Sequence, residues 1–291
     1  MSRQAKAVVC REWGQPLHVE TITVDPPKRG EVTIKVAACG VCHSDHSAAT
    51  GKIPYAPPLV LGHEAAGIVV EVGEGVTTLK EGDYVVSTFI TMCGKCRNCV
   101  RGRPVLCENA RKSMTTLPDG TVRTHGKDGE DLNVFGACGV MAEYATLHVD
   151  NCVQIDGDVP MSSAALVGCA VITGVGSVFN TAELEPGSRA AVFGIGGVGL
   201  NAIQGCVTAG AEMVIAVDTN ASKLEMAKEF GATHTVNISE VEDVSKAIKK
   251  LSGGGVDYAF ECVGNGKVVE QAFKSLGRAG TVVVVGVADS K

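Results

Sequence analysis

The rhythm of hydrophobic and polar positions changes once along the 291-residue chain. Before about Pro160, short β-branched apolar runs at residues 5–10, 31–38, 66–72 and 83–87 are separated by punctuators such as Pro26-Pro27, Gly30, Gly62, Gly73 and Gly82. That spacing predicts strands and turns, hence a β-rich domain whose loops carry the special residues. The polar stretch from Arg111 to Gly129 reads as a surface loop. Beyond Pro160 the expected strands are 190–192, 213–217, 235–236, 258–262 and 281–287. The expected helices are 197–209, 222–230, 240–251 and 267–276. Alternation at this length calls for parallel strands joined by right-handed crossovers. The run T-V-V-V-V-G-V at 281–287 fits a strand covered on both faces. The chain as a whole reads as α/β, in two expected domains: a β-rich one over 1–165 and an alternating one over 166–291.

Composition narrows the partners. Aromatic residues are only 4%, so the core must rest on aliphatic side chains and alanine. A net charge of −6 gives a nucleic acid or an anionic membrane little electrostatic support. No uninterrupted apolar run reaches the ~18 residues of a membrane-spanning helix. The start, M-S-R-Q-A-K-A-V-V-C, lacks the apolar core of a signal peptide, and a cytoplasmic protein is expected.

Twelve cysteines then need a reductive explanation, and metal ligation is the usual one in a reducing compartment. Cys10, Cys39, Cys138, Cys152, Cys206 and Cys262 lie in apolar or small-residue surroundings and read as small buried hydrophobes. Cys93-x2-Cys96-x2-Cys99-x7-Cys107 is patterned. Four thiolates on one loop suit a closed, tetrahedral, structural Zn2+, with Lys95, Arg97, Arg101 and Arg103 offsetting the excess charge. A redox pair and an iron–sulfur cluster are the alternatives. Cys42 and Asp45 in G-V-C-H-S-D, His63 and Glu64 in L-G-H-E, and Cys169 in L-V-G-C-A-V-I-T-G form a second, dispersed set. Cys42, His63 and Cys169 would neutralise Zn2+ and leave a fourth position open, provided they meet in space. Asp45 would orient His63 from behind. Gly194-x-Gly196-Gly197-Val198-Gly199 follows an expected strand, opens an expected helix, and has Asp218 19 residues on. That is the dinucleotide fingerprint in its required context. An acidic residue there favours NAD over NADP. His18, His125, His148 and His234 read as structural or surface residues; His43 and His46 adjoin the dispersed set.

These motifs together resemble the zinc-dependent medium-chain alcohol dehydrogenases along nearly the whole chain. The resemblance implies a GroES-like catalytic domain and a Rossmann doubly wound parallel sheet, with the active site in the cleft between them. It implies two zincs per chain, catalytic on Cys42, His63 and Cys169 and structural on Cys93, Cys96, Cys99 and Cys107, with NAD as cofactor. Ser44 matches the hydroxyl that starts the proton relay, and Glu64 the carboxylate behind the zinc. His43 matches a cofactor-phosphate contact and Lys223 a residue near the adenosine ribose.

The stretches N-T-A-E-L-E-P-G-S, L-P-D-G-T and G-V-D-Y-A-F-E-C-V-G are similar to class III, the thiol-dependent formaldehyde dehydrogenases. Arg111 falls where that subgroup holds a substrate carboxylate. The loop K-I-P-Y at 52–55 lacks the acidic pair expected there, and Ser47 replaces a relay histidine of many members. The expected activity is NAD-dependent interconversion of an alcohol and an aldehyde, without a nucleic-acid or membrane partner and in a homodimer or homotetramer. The alternatives are oxidation of an S-hydroxymethyl thiol, or a catalytically silent zinc- and nucleotide-binding fragment. The last follows from a count of five of the family's six Rossmann strands, which implies a truncated C-terminus.

Overall fold

Inward-facing aliphatic residues on short strands build the first half of the chain. The computed structural model describes residues 1–90, 92–109 and 114–287. Contacts divide it into two units, Met1–Cys169 and the residues from Ala170 onward.

In the first unit the strands are β1 (Arg3–Cys10), β2 (His18–Val24), β3 (Glu31–Cys39), β4 (Leu59–Val60), β5 (Ala65–Val72), β6 (Tyr84–Ser87), β7 (Thr124–His125), β8 (Asn133–Val134), β9 (Tyr144–His148) and β10 (Cys152–Ile155). They form two sheets, ordered β7-β2-β1-β4-β8 and β10-β6-β5-β3-β9. Val32, Ile34, Val69, Val85 and Leu147 fill the core on the second sheet; Val9, Ile22, Val60 and Leu132 fill that on the first. The sheets leave the chain between β3 and β5 to carry the helix His43–Ala49 and the turn before His63.

One sequence expectation fails here. Within the stretch read as a surface loop, Leu117, Val122 and Arg123 are buried. Arg123 donates to Glu31 Oε1 and Oε2 and to Asp119 Oδ2 (2.5, 2.9 and 2.6 Å), so a polar segment enters the interior by satisfying its charge there. His125, read as a structural or surface residue, is held between Asp25 and Asp131 at 2.9 Å each.

The helix Met161–Ala182 contains the division between the units, which falls after Cys169. By length and composition it would suffice to cross a membrane. Its first part packs on β3 and β5, and its Ile172–Gly176 part on the helix Gly197–Thr208. It widens to π-helical turns at Val167–Val171 and Ser177–Ala182, and Cys169 lies in the first.

The second unit carries β11 (Arg189–Phe193), β12 (Met213–Asp218), β13 (His234–Asn237), β14 (Val256–Glu261) and β15 (Leu276–Val284). All pair in parallel, in the order β13-β12-β11-β14-β15. The helices Gly197–Thr208 and Ala221–Glu229 cover one face and Val244–Leu251 and Gly266–Lys274 the other, over two aliphatic cores. This is the doubly wound arrangement expected of alternating β and α segments. The expected helix at 240–251 begins only at Val244, because Asp243 caps it by accepting the Lys246 N–H. The last strand starts earlier than expected, at Leu276, and ends at Val284.

Candidate functional site

Cys42 is the N-cap of the helix His43–Ala49. Its backbone N–H donates to Asp45 Oδ2 at 3.1 Å, while its Sγ accepts the Ser44 N–H at 3.5 Å, a capping box with sulfur in the usual hydroxyl role. The helix start therefore holds both Cys42 and Asp45. Asp45 is buried, and its Oδ1 accepts the Gly62 N–H at 3.0 Å and lies 3.3 Å from His63 Nδ1. One carboxylate thus fixes the cap, the turn before His63 and the imidazole. Gly62 sits at φ +95°, and a Cβ there would lie 2.3 Å from the Met141 nitrogen, so the turn needs glycine.

On the opposite side of the ring, His63 Nε2 is 3.3 Å from Cys169 Sγ. The ligand atoms of Cys42, His63 and Cys169 all lie within 4.8 Å of one another, so the structure brings together three residues that the sequence separates by up to 127 positions. Ligand atoms on a tetrahedral Zn2+ sit roughly 3.3–3.8 Å apart, so the set fits the ion. The protonation states agree. The Cys42 thiol is drawn down to about 3, first by the hydrogen bond with Cys169, against the opposing effect of burial and with help from His63 and Ser44. Burial alone would lower the His63 imidazole; hydrogen bonds with Asp45 and Cys42 outweigh it and push it up to about 9. Buried thiolate character beside an imidazolium is a site waiting for a cation to replace the proton.

Glu64 is buried beside this set. Its Oε1 would be 2.5 Å from a Cβ on Gly40, so the glycine of G-V-C-H-S-D makes room for the carboxylate. His43 is exposed, its ring 5.3 Å from that of His46, and Ser47 is buried. The sequence did not single out the aromatic surroundings. Phe89 and Phe135 stand edge-on to His63, with ring centroids 5.4 and 5.1 Å away, and Tyr55 stacks edge-on against Phe135 at 4.6 Å. No fixed spacing links these rings to a metal ligand, so they carried no signal. Arg111 lies outside the described residues.

Cys93, Cys96, Cys99 and Cys107 form the second cluster, their sulfurs also within 4.8 Å of one another. Cys96 N–H donates to Cys93 Sγ and Cys93 N–H to Cys107 Sγ. Hydrogen bonding from Asn109 lowers the Cys93 thiol to about 6, whereas burial and the surrounding sulfurs push Cys99 up to about 12. Four thiols this close cannot all ionise without a cation. The cluster therefore fits a Zn2+ with no position left open.

In the second unit, β11 ends at Phe193 and the helix Gly197–Thr208 opens four residues later. A Cβ on Gly199 would fall 1.9 Å from the Gly194 carbonyl oxygen, so that glycine permits close contact between helix and strand. A Cβ on Gly196 would meet no protein atom within 4 Å: what this glycine leaves open is space for something else. Asp218, at the end of β12, accepts the Ile195 N–H with Oδ2 (2.8 Å) and the Asn220 N–H with Oδ1 (2.9 Å), and Lys223 Nζ is 4.0 Å away. Gly197 and Val198 form the first turn of the helix, where free N–H groups favour an anion.

Comparison with known proteins agrees with this chemistry. Residues 28–157 match the alcohol dehydrogenase GroES-like domain family and residues 197–291 the zinc-binding dehydrogenase family. The S-(hydroxymethyl)glutathione dehydrogenase of Synechocystis sp. is 41% identical over 98% of this chain and 78% of its own. A crystal structure of an alcohol dehydrogenase zinc-binding domain protein from Burkholderia ambifaria superposes with a TM-score of 0.93 at 37% identity, over 100% of this chain and 79% of its own. Benzyl alcohol dehydrogenase from Acinetobacter calcoaceticus superposes with 0.88 at 34% identity, over 99% and 78%. With a GroES-like unit, a nucleotide-binding unit and two cysteine-based zinc sets, the chain belongs to the zinc-binding medium-chain alcohol dehydrogenases.

Proposed function

We propose that the chain oxidises a primary alcohol to an aldehyde with NAD, reversibly, on a zinc held by Cys42, His63 and Cys169. The observation that carries this reading is the approach of those three donor atoms to within 4.8 Å, with Asp45 buried behind the imidazole. When bound, zinc supplies Lewis-acid activation of the alcohol and NAD accepts the hydride. The chain's own part is placement and proton handling. Asp45 keeps His63 Nε2 turned toward the sulfurs, with its Nδ1 tied behind. Ser44 Oγ takes the alcohol proton; the Ser44 N–H donates to the Cys42 sulfur, so the residue's position is tied to the ligand. Glu64 is the buried carboxylate beside the centre, and Cys93, Cys96, Cys99 and Cys107 hold the structural zinc.

For the cofactor, the reading assigns the pyrophosphate to Gly194, Gly196, Gly197, Val198 and Gly199, and the ribose to Asp218 with Lys223 alongside. His43 is assigned to a cofactor phosphate. The Asp218 charge disfavours a 2′-phosphate, which supports NAD. Phe89, Phe135 and Tyr55 support aromatic or allylic alcohols. A cytoplasmic homo-oligomer completes the reading; thiolate ligands suit a reducing compartment.

The 41% identity to an S-(hydroxymethyl)glutathione dehydrogenase favours a second reading, oxidation of a thiol adduct of formaldehyde. Initial rates separate the two. The first expects turnover of benzyl or allyl alcohol with NAD, and a higher kcat/KM for NAD than for NADP. Turnover of formaldehyde only with added glutathione or mycothiol, and none of simple alcohols, selects the second. NAD binding without turnover on either panel removes both.

A further inference from the structure

Glu261 ends β14, the strand beside β11, and is fully buried. Three strand ends meet at this residue. Its Oε1 accepts the N–H groups of Val263 (3.0 Å), Gly264 (2.8 Å) and Asn265 (3.4 Å). Its carbonyl oxygen accepts those of Val285 and Gly286, just past β15, at 2.8 and 2.9 Å. One residue on, the Cys262 N–H donates to the Phe193 carbonyl at the end of β11, at 2.9 Å. The carboxyl-terminal ends of β11, β14 and β15 are thereby tied at one level. That edge is where open parallel sheets take their ligands.

The turn 262–265 also leans on the glycine loop. A Cβ on Gly194 would sit 2.5 Å from Val263 Cγ2. A Cβ on Gly286 would sit 2.1 Å from the Gly264 nitrogen, and one on Gly264 2.5 Å from the Val287 carbonyl oxygen. The missing side chains let the turn lie directly against Gly194 and against the residues past β15, and the Cys262 N–H bond ties it to the end of β11, so a shift of the turn moves the loop. The three successive N–H groups form a concavity of the kind that binds anions, and here the chain fills it with its own carboxylate. Glu261 Oε2, in contrast, is buried and meets no donor among the described residues. A buried acceptor without a partner is rare and calls for a reason beyond filling space.

We propose that Glu261 is a positioning residue for the dinucleotide: by anchoring the turn 262–265 against Gly194, it sets where the glycine loop meets the pyrophosphate. This rests on the reading that the loop binds NAD. Glu261→Gln keeps the shape, weakens the acceptor for the three N–H groups, and places an NH2 where Oε2 has no partner. The expected result is a rise of about tenfold in Kd and KM for NAD, with KM for the alcohol, kcat at saturating NAD and zinc content within about twofold of wild type. Glu261→Asp, which keeps the charge but shortens the reach, should weaken NAD in the same direction.

Calorimetric titration of the wild-type protein with NAD comes first. No binding there defeats the reading of the glycine loop itself. Binding to wild type and equal binding to Glu261→Gln overturns this inference alone. Parallel rises in both Michaelis constants, or failure of Glu261→Gln to fold, also overturn it, because the residue would then be a general determinant of stability.

Discussion

Asp45 shows how much of a metal centre lies outside its ligands. It is not among the three ligands, yet it holds the Cys42 backbone, the Gly62 turn and the His63 ring. Replacing a ligand and changing the proton load test the centre from two sides. Cys42→Ser should lower zinc from two to about one per chain, leave the 93–107 cluster filled and cut alcohol turnover more than about 100-fold. Elemental analysis returning two zincs would remove Cys42 from the ligand set. The second test uses pH. His63, pushed up to about 9, carries a proton throughout the neutral range in the stripped protein, and zinc must expel it. Affinity at the Cys42–His63–Cys169 site should therefore rise with pH, by about tenfold per unit between pH 6 and 8 for each proton released. Competition against a chelator of known affinity reads the slope; a flat response would mean that the imidazole is already neutral. At this scale the sequence was legible in proportion to proximity. Cys93 to Cys107 declare themselves because four ligands crowd one loop. Cys42, His63 and Cys169 are fragments until the β-sheet and the Met161–Ala182 helix bring them together. Phe89 and Phe135 were invisible, since an aromatic edge against an imidazole needs no sequence period.

Periodicity located the elements, and polarity misled where charge was satisfied internally. The strands and helices of the second unit stand close to their expected places, because continuous aliphatic runs and capped helices have no good alternative. The segment around Arg123 reads as surface because its composition is polar, and composition cannot reveal that Glu31, more than ninety residues earlier, waits opposite. Arg123→Ala should cost about 3–5 kcal/mol by leaving the Glu31 carboxylate buried without its cation and with only the Lys28 N–H as donor, read as a lower denaturant midpoint at unchanged slope. A cost below about 1 kcal/mol would mean that water compensates the carboxylate. Asp119, on the exposed side of the same cluster, is opposed by burial but held down to about 2 by Arg123 and Thr121. Because its folded value is depressed, its contribution is complete above the unfolded value near 3.8 and is lost as pH falls toward 2.

Each unit of the molecule has cores of its own. Among the described residues, Val178 to Val283 supply those of the second unit. The 93–107 loop is different in kind: its short helices Arg97–Val100 and Pro104–Leu106 bury no residue, and within it Val100, Val105 and Leu106 are exposed. Here the ion stands in for a hydrophobic interior. The loop is consequently a fuse. A strong chelator should open the bonds after Lys95, Arg97 and Arg101 to trypsin within minutes while the aliphatic cores continue to resist digestion. Air reaching the four bared thiols should then oxidise them to disulfides, so that a brief loss of metal outlasts the chelator until a reductant restores the thiols.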